Sequence, residues 1–114
     1  MVQEVRLTFP VARVLRVLLE DPRGEHYGLT VMRDAQLSSG SLYPILRRLE
    51  QAQWLTSSWE KVDVAEAGRP RRRYYRLTGE GVVAARSALA EAYALTSSST
   101  SGPTRRPGLI RRTL

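Results

Sequence analysis

The sequence contains no cysteine, one lysine (Lys61), one histidine (His26) and one phenylalanine (Phe9). Without cysteine there is no disulfide framework and no thiolate metal site. Gly-x-x-x-x-Gly-Lys, His-Glu-x-x-His and Gly-x-Ser-x-Gly are all missing, so the common nucleotide-binding, zinc-hydrolase and serine-hydrolase residue sets are excluded. His26, beside Glu25, reads as a residue leading into a helix rather than a general base. No enzyme activity, cofactor or metal is therefore expected. No run of roughly 18 apolar residues occurs and no signal peptide is recognisable. The expectation is a soluble, cytoplasmic protein with no membrane partner. Acids are also scarce, with 11 against 18 basic residues and a net charge of +7.

What the chain has is arginine. Every cation but Lys61 is one. The planar guanidinium fork suits bidentate contacts to phosphate and guanine, so the excess charge points to a polyanionic partner. A length of 114 residues allows one domain with a modest core, which oligomerisation would help.

The most informative stretch runs from Ser38 to Gln51. Leu42, Ile45, Leu46 and Leu49 fall at helical spacing and form one apolar stripe. The opposite side carries Gly40, Pro44, Arg47 and Gln51, flanked by Ser41, Tyr43 and Arg48. Such a helix, starting at Ser39–Ser41 behind a serine N-cap, can enter a DNA major groove. An ordinary surface helix with a solvated basic face would show the same pattern. A start at Ser41 would leave Pro44 in the first turn, where proline is tolerated.

Two helices precede it. Thr8-Phe9-Pro10 opens one over Pro10–Glu20, with Val11, Val14, Leu15 and Leu18 inward, after a short polar start. The second spans Gly28–Ala35, with Leu29 and Met32 expected to pack inward. Downstream, Thr56–Glu60 and Arg73–Leu77 read as strands of a long-looped hairpin with its apex at 65–70. Residues 69–76 hold five arginines and no acid, among them Arg69, Arg71, Arg72 and Arg73. Beside a helix-turn-helix this reads as a wing on a phosphate backbone; the alternative is a solvated loop. Thr78 is the N-cap candidate for a last helix, Gly79–Leu95. Its apolar side, Val82, Ala85, Leu89, Ala92 and Tyr93, is the candidate dimer surface, with packing on the first helix as the alternative. From Thr96 to Leu114 the chain is rich in Ser, Thr and Arg without acids, and reads as a disordered basic tail.

These readings add up to a mainly α chain with a small β-hairpin. Residues 1–78 form a winged helix-turn-helix, 79–95 a C-terminal dimerisation helix and 96–114 a tail. His-Tyr-Gly-Leu at 26–29, Ser-Leu-Tyr-Pro-Ile-Leu-Arg-Arg-Leu-Glu at 41–50 and Gly-Arg-Pro-Arg-Arg-Arg-Tyr-Tyr-Arg-Leu-Thr at 68–78, continued by Glu80-Gly81, resemble PadR-family transcriptional regulators. The resemblance covers residues 8–95. It implies a two-fold homodimer built through the C-terminal helix and binding to an inverted-repeat operator in double-stranded DNA. Members usually repress, and some respond to small-molecule effectors. Two departures stand out. Gln53 sits where the family usually has a glycine suited to a left-handed turn, and Tyr93 is the only aromatic on the last helix.

The resemblance and the residue pattern place the DNA contacts at Ser39, Gly40, Ser41, Tyr43, Pro44, Arg47, Arg48 and Gln51 on the helix, and at Arg69, Arg71, Arg72 and Arg73 on the wing. An RNA-binding or protein-docking winged helix would use the same basic face, and a preference for two-fold symmetric duplex DNA separates the two.

Overall fold

Thr8 starts the first helix, α1 (Phe9–Leu19): its Oγ1 accepts the Val11 N–H at 3.3 Å, and Pro10 occupies the first turn. Val11, Val14, Leu15, Val17 and Leu18 are buried along it. A two-residue strand, β1 (His26–Tyr27), leads into α2 (Gly28–Ala35), and α3 (Ser39–Gln51) follows. Next come β2 (Leu55–Trp59), a single helical turn α4 (Val64–Ala67), β3 (Arg73–Leu77) and the long α5 (Gly79–Thr100). The computed structural model describes residues 2–100, with side chains as far as residue 95.

The apolar stripe of α3 packs as its spacing predicts. Leu42, Leu46 and Leu49 are fully buried and Ile45 nearly so. Ser38 is the N-cap, its Oγ accepting the Ser41 N–H at 3.3 Å. The helix thus begins at Ser39, which places Pro44 past the first turn, where it removes the hydrogen bond to the Gly40 carbonyl. The far end closes in a Schellman turn: the Trp54 N–H reaches the Leu49 carbonyl at 2.9 Å. Gln53 adopts φ +68° there, so the turn keeps its left-handed form although a side chain replaces the usual glycine.

Four expectations need correction. Leu29 does not pack inward but is 62% exposed, because Val31 and Ala35 define the buried side of α2. Leu29 lies about 200° of helix rotation from Val31. The hairpin is part of a three-stranded antiparallel sheet in the order β1-β3-β2, with His26 opposite Tyr75 and Leu55 opposite Leu77. A strand of two residues has no alternation to read. The hairpin loop carries α4, capped by Asp63 through the Ala65 N–H and ended by Gly68 at φ +66°. Finally, α5 continues to Thr100 rather than ending at Leu95. Serine and threonine weaken a helix without breaking it, and the first helix breakers come later, at Gly102-Pro103. The rest of the basic tail, 101–114, lies outside the described residues.

Ala85 is also placed differently from its expected position on a dimer surface. It is fully enclosed in the protomer's own core, and Val82, Ala84, Ala88 and Leu89 pack against that core beside it. The N-terminal segment is less polar in its packing than in its sequence. Val2, Val5 and Leu7 lie on the core, the Gln3 N–H bonds the Ala52 carbonyl at 2.9 Å, and Trp54 Nε1 donates to the Gln3 carbonyl at 2.6 Å.

Thr78 caps α5 as expected, accepting the Gly81 N–H at 2.8 Å while donating to the Gln53 carbonyl at 2.8 Å. Gly81 lies directly on the Trp54 backbone, and a Cβ there would run into the Trp54 carbonyl. Gly81→Ala must push α5 off the α3–β2 turn, an overpacking expected to lower stability by about 1–3 kcal/mol. Thermal and urea unfolding check this; wild-type stability would show that the close approach is dispensable.

Candidate nucleic-acid interface

With its stripe buried, α3 can turn only one face outward. Ser39, Gly40, Ser41, Pro44, Arg47, Arg48 and Gln51 are all exposed on it. Tyr43 is intermediate in role, 36% exposed and laid across the start of α2. A Cβ at Gly28 would meet the Tyr43 hydroxyl, so Gly28 leaves room for the Tyr43 side chain over the start of α2. Among the described residues Arg47 and Arg48 have no ion-pair partner, so both guanidinium groups are open to a ligand.

The wing arginines divide into two kinds. Arg69 is held inward, donating to Glu60 at 2.6 and 3.3 Å and to the Pro70 carbonyl at 3.2 Å. Glu60 also accepts the Arg72 backbone N–H at 2.9 Å, so one carboxylate closes the base of the wing loop. Arg73 donates to Ser57 Oγ at 2.7 Å and lies near the Glu50 carboxylate at 3.4 Å. Arg71 and Arg72 are the outward pair: Arg71 Nε reaches only the Val62 carbonyl at 3.4 Å. The Arg72 guanidinium sits 6.0 Å over the Tyr27 ring, which meets Tyr74 edge-on at 6.2 Å.

Several neighbours of this face escape sequence reasoning. Tyr27, Leu29 and Thr30 from the start of α2 join Tyr43, Arg72 and Tyr75 around a hollow of about 380 Å³ between α3 and the wing. The His-Tyr-Gly-Leu segment marked the helix start but gave no sign that Tyr27 would face Arg72. Glu50 and Glu60, the two acids that organise the arginines, have no local signature, because their partners lie 23 and 9 residues away. Burial pushes the Tyr75 hydroxyl above its ordinary value, with the Arg73 charge working against that shift. Among the described residues no cluster of His, Asp or Glu could hold a metal ion, and no helix is long and apolar enough to cross a membrane.

The arrangement is an exposed helix face with free arginines, flanked by a basic hairpin. Comparison with known proteins agrees with it. The profile of the transcriptional regulator PadR-like family matches residues 14–87. No curated protein sequence matches significantly. Among solved structures, the chain resembles a PadR family transcription regulator from hypervirulent Clostridium difficile. The TM-score is 0.68 at 20% identity, covering 85% of this chain and all of that one. A Streptococcus mutans protein superposes with a TM-score of 0.67 at 23% identity, over 93% of this chain and 99% of the other. The PcaV transcriptional regulator of Streptomyces coelicolor gives 0.63 at 24% identity, over 79% of this chain and 60% of that longer one. At these identities the structural likenesses establish the fold.

The Arg69 guanidinium holds the Glu60 carboxyl below its ordinary value of 4.5; burial opposes the shift and the Arg72 N–H supports it. A lowered folded-state value means the stabilisation is complete above 4.5 and is lost as pH falls through the depressed folded value. Glu60 should therefore titrate below 4.5 by carboxyl NMR, and the amides of residues 60–72 should lose exchange protection only on that acid side. Arg69→Ala should move the midpoint upward. A Glu60 midpoint at or above 4.5 in the wild-type protein would contradict the assignment.

Proposed function

Because the chain belongs to the PadR-like family of DNA-binding transcriptional regulators, we propose that it is a repressor that binds an inverted-repeat operator as a homodimer in the cytoplasm. The observation that carries this reading is the outward face of α3. Gly40 and Pro44 have no bulky side chain to hold the helix off DNA, and Arg47 and Gln51 lie on the same side. Arg47 can pair with guanine and Gln51 with adenine, each at two points. Ser39, Ser41, Tyr43 and Arg48 flank this row and suit the phosphates, as do Arg71 and Arg72 on the wing. In this reading Arg69 and Arg73 shape the wing from within, since both are engaged with glutamates.

In this proposal residues 1–78 read the DNA and α5 joins two copies. Support for the second part is the hollow of about 530 Å³ between the N-terminal segment and α5, lined by Val2, Val5, Leu7, Ala84 and Ala88, together with Tyr93 at 76% exposure. Val82, Leu89 and Ala92 border the same helix, whereas Ala85 is enclosed. Two recognition helices related by a dyad would enter successive major grooves about 34 Å apart, which predicts half-sites one turn apart. A bound dimer would exclude polymerase from an overlapping promoter. Any small-molecule effector would act by altering the spacing of the two helices.

Selection of bound sites from random DNA tests the reading. Wild-type protein should return a pseudo-palindrome and prefer duplex DNA to RNA. Arg47→Ala should relax one symmetric pair of positions, a loss of about 1–3 kcal/mol of discrimination. Arg72→Ala should instead weaken all sequences and reduce the salt slope by about one unit. If Arg47→Ala returns the wild-type site at every position, α3 does not read bases through Arg47.

The dimer has its own test. Tyr93→Glu alters an exposed side chain and should give monomer by sedimentation with weakened operator binding, while the melting temperature of the domain is retained. A Tyr93→Glu protein that remains dimeric would place the interface elsewhere. Leu89 is a poorer probe, since it packs on the core and a charge there would unfold the protomer.

A further inference from the structure

Resting on the DNA-binding reading above, we propose that Arg73 is a positioning residue: it cancels the charge of Glu50 at the DNA-facing end of α3 and fixes the wing at one angle to that helix, instead of gripping DNA. Glu50 lies one turn beyond Arg47, and its side chain is 33% exposed. An unneutralised carboxylate there would repel the phosphates that the arginines attract. The neutralising group comes from β3. Arg73 Nη2 donates to Ser57 Oγ at 2.7 Å and lies 3.4 and 3.5 Å from the two Glu50 oxygens. Ser57 completes the triangle by donating its own proton to Glu50 Oε2 at 2.5 Å. A hydroxyl has one proton and two lone pairs, so giving to the carboxylate while accepting from the guanidinium uses it in both directions.

Two rings hold the guanidinium in place. Its carbon lies 5.7 Å from the Trp59 ring centre and 5.9 Å from that of Tyr75. Sheet register creates this nest. Trp59 is the cross-strand partner of Arg73, and Ser57 that of Tyr75, so all four side chains share one face. A slip of one residue would turn Arg73 to the opposite face and leave Glu50 unpaired. Arg73 therefore joins α3, β2 and β3 through one side chain. An arginine fixed on this many sides has lost the freedom to follow a phosphate, unlike Arg71 and Arg72 nearby.

The test uses four full-length proteins: wild type, Arg73→Ala, Glu50→Gln and the double variant. Each is titrated with the selected operator and with a nonspecific duplex over a salt series. Arg73→Ala should weaken binding about tenfold, and Glu50→Gln should restore most of that loss in the double variant. Glu50→Gln alone should raise nonspecific affinity and steepen the salt slope, because it removes a negative charge beside the phosphates. If the double variant stays as weak as Arg73→Ala, Arg73 is a direct phosphate contact and the proposal fails. The clamp is also read without DNA, from the Trp59 indole N–H resonance, which Arg73→Ala and Glu50→Gln should both shift. No shift in either variant overturns the clamp. A shift in both, with no duplex bound by the wild-type protein, would sustain the clamp as a structural device and overturn the DNA-binding reading and the positioning role that rests on it.

Discussion

Trp54 is the point to which the separate parts of this protein are tied. Its N–H closes α3 onto the Leu49 carbonyl, and its carbonyl accepts the Thr78 N–H that precedes α5. Its indole holds the Gln3 carbonyl, and Gly81 rests against its backbone. The helix proposed to face DNA, the hairpin that forms the wing and the helix proposed to dimerise thus leave from one buried residue. Their relative angles depend on that junction more than on any of the elements alone. A left-handed Gln53 immediately before it is a strained conformation for a residue with a side chain. The surrounding hydrogen bonds and the packing of Trp54 hold it.

The acids of the DNA-facing half organise the bases. Ion pairs that remain partly open to solvent, such as Glu60–Arg69 and Glu50–Arg73, are weak sources of stability. Their effect is directional. Each fixes one arginine, and in doing so closes the wing loop or sets it against α3, leaving Arg47, Arg48, Arg71 and Arg72 to face outward. Arg76 is likewise paired, with Glu25 at 3.0 Å across the outer face of the sheet. Within the wing and α3 this leaves Arg47, Arg48, Arg71 and Arg72 outward, while other exposed arginines such as Arg6, Arg16, Arg23 and Arg86 lie elsewhere on the surface.

A rigid wing has a consequence for recognition. Base contacts require side-chain placement within a few tenths of an ångström, whereas phosphate contacts tolerate movement. In the proposed complex, pinning β2 and β3 to the end of α3 would let the wing register the helix in its groove, as well as adding charge nearby. Tyr43 serves the other end of α3 in the same way. It lies over Gly28 and so packs the start of α3 against α2.

The local features of this protein were legible in its sequence. The stripe Leu42, Ile45, Leu46 and Leu49, the outward face with Arg47, the Thr78 cap and the strands of the wing all depend on residues within about four positions of one another. Helical and strand periods encode them directly. Tertiary structure alone decided the remainder. It enclosed Ala85, turned Leu29 outward, and added β1 as a third strand from two residues with no pattern of their own. It also separated the arginines that are free from those that are held. Density of charge along the wing could not do this, because Arg69 and Arg73 are held by Glu60 and Glu50, which the folded hairpin and the α3–β2 turn bring within reach.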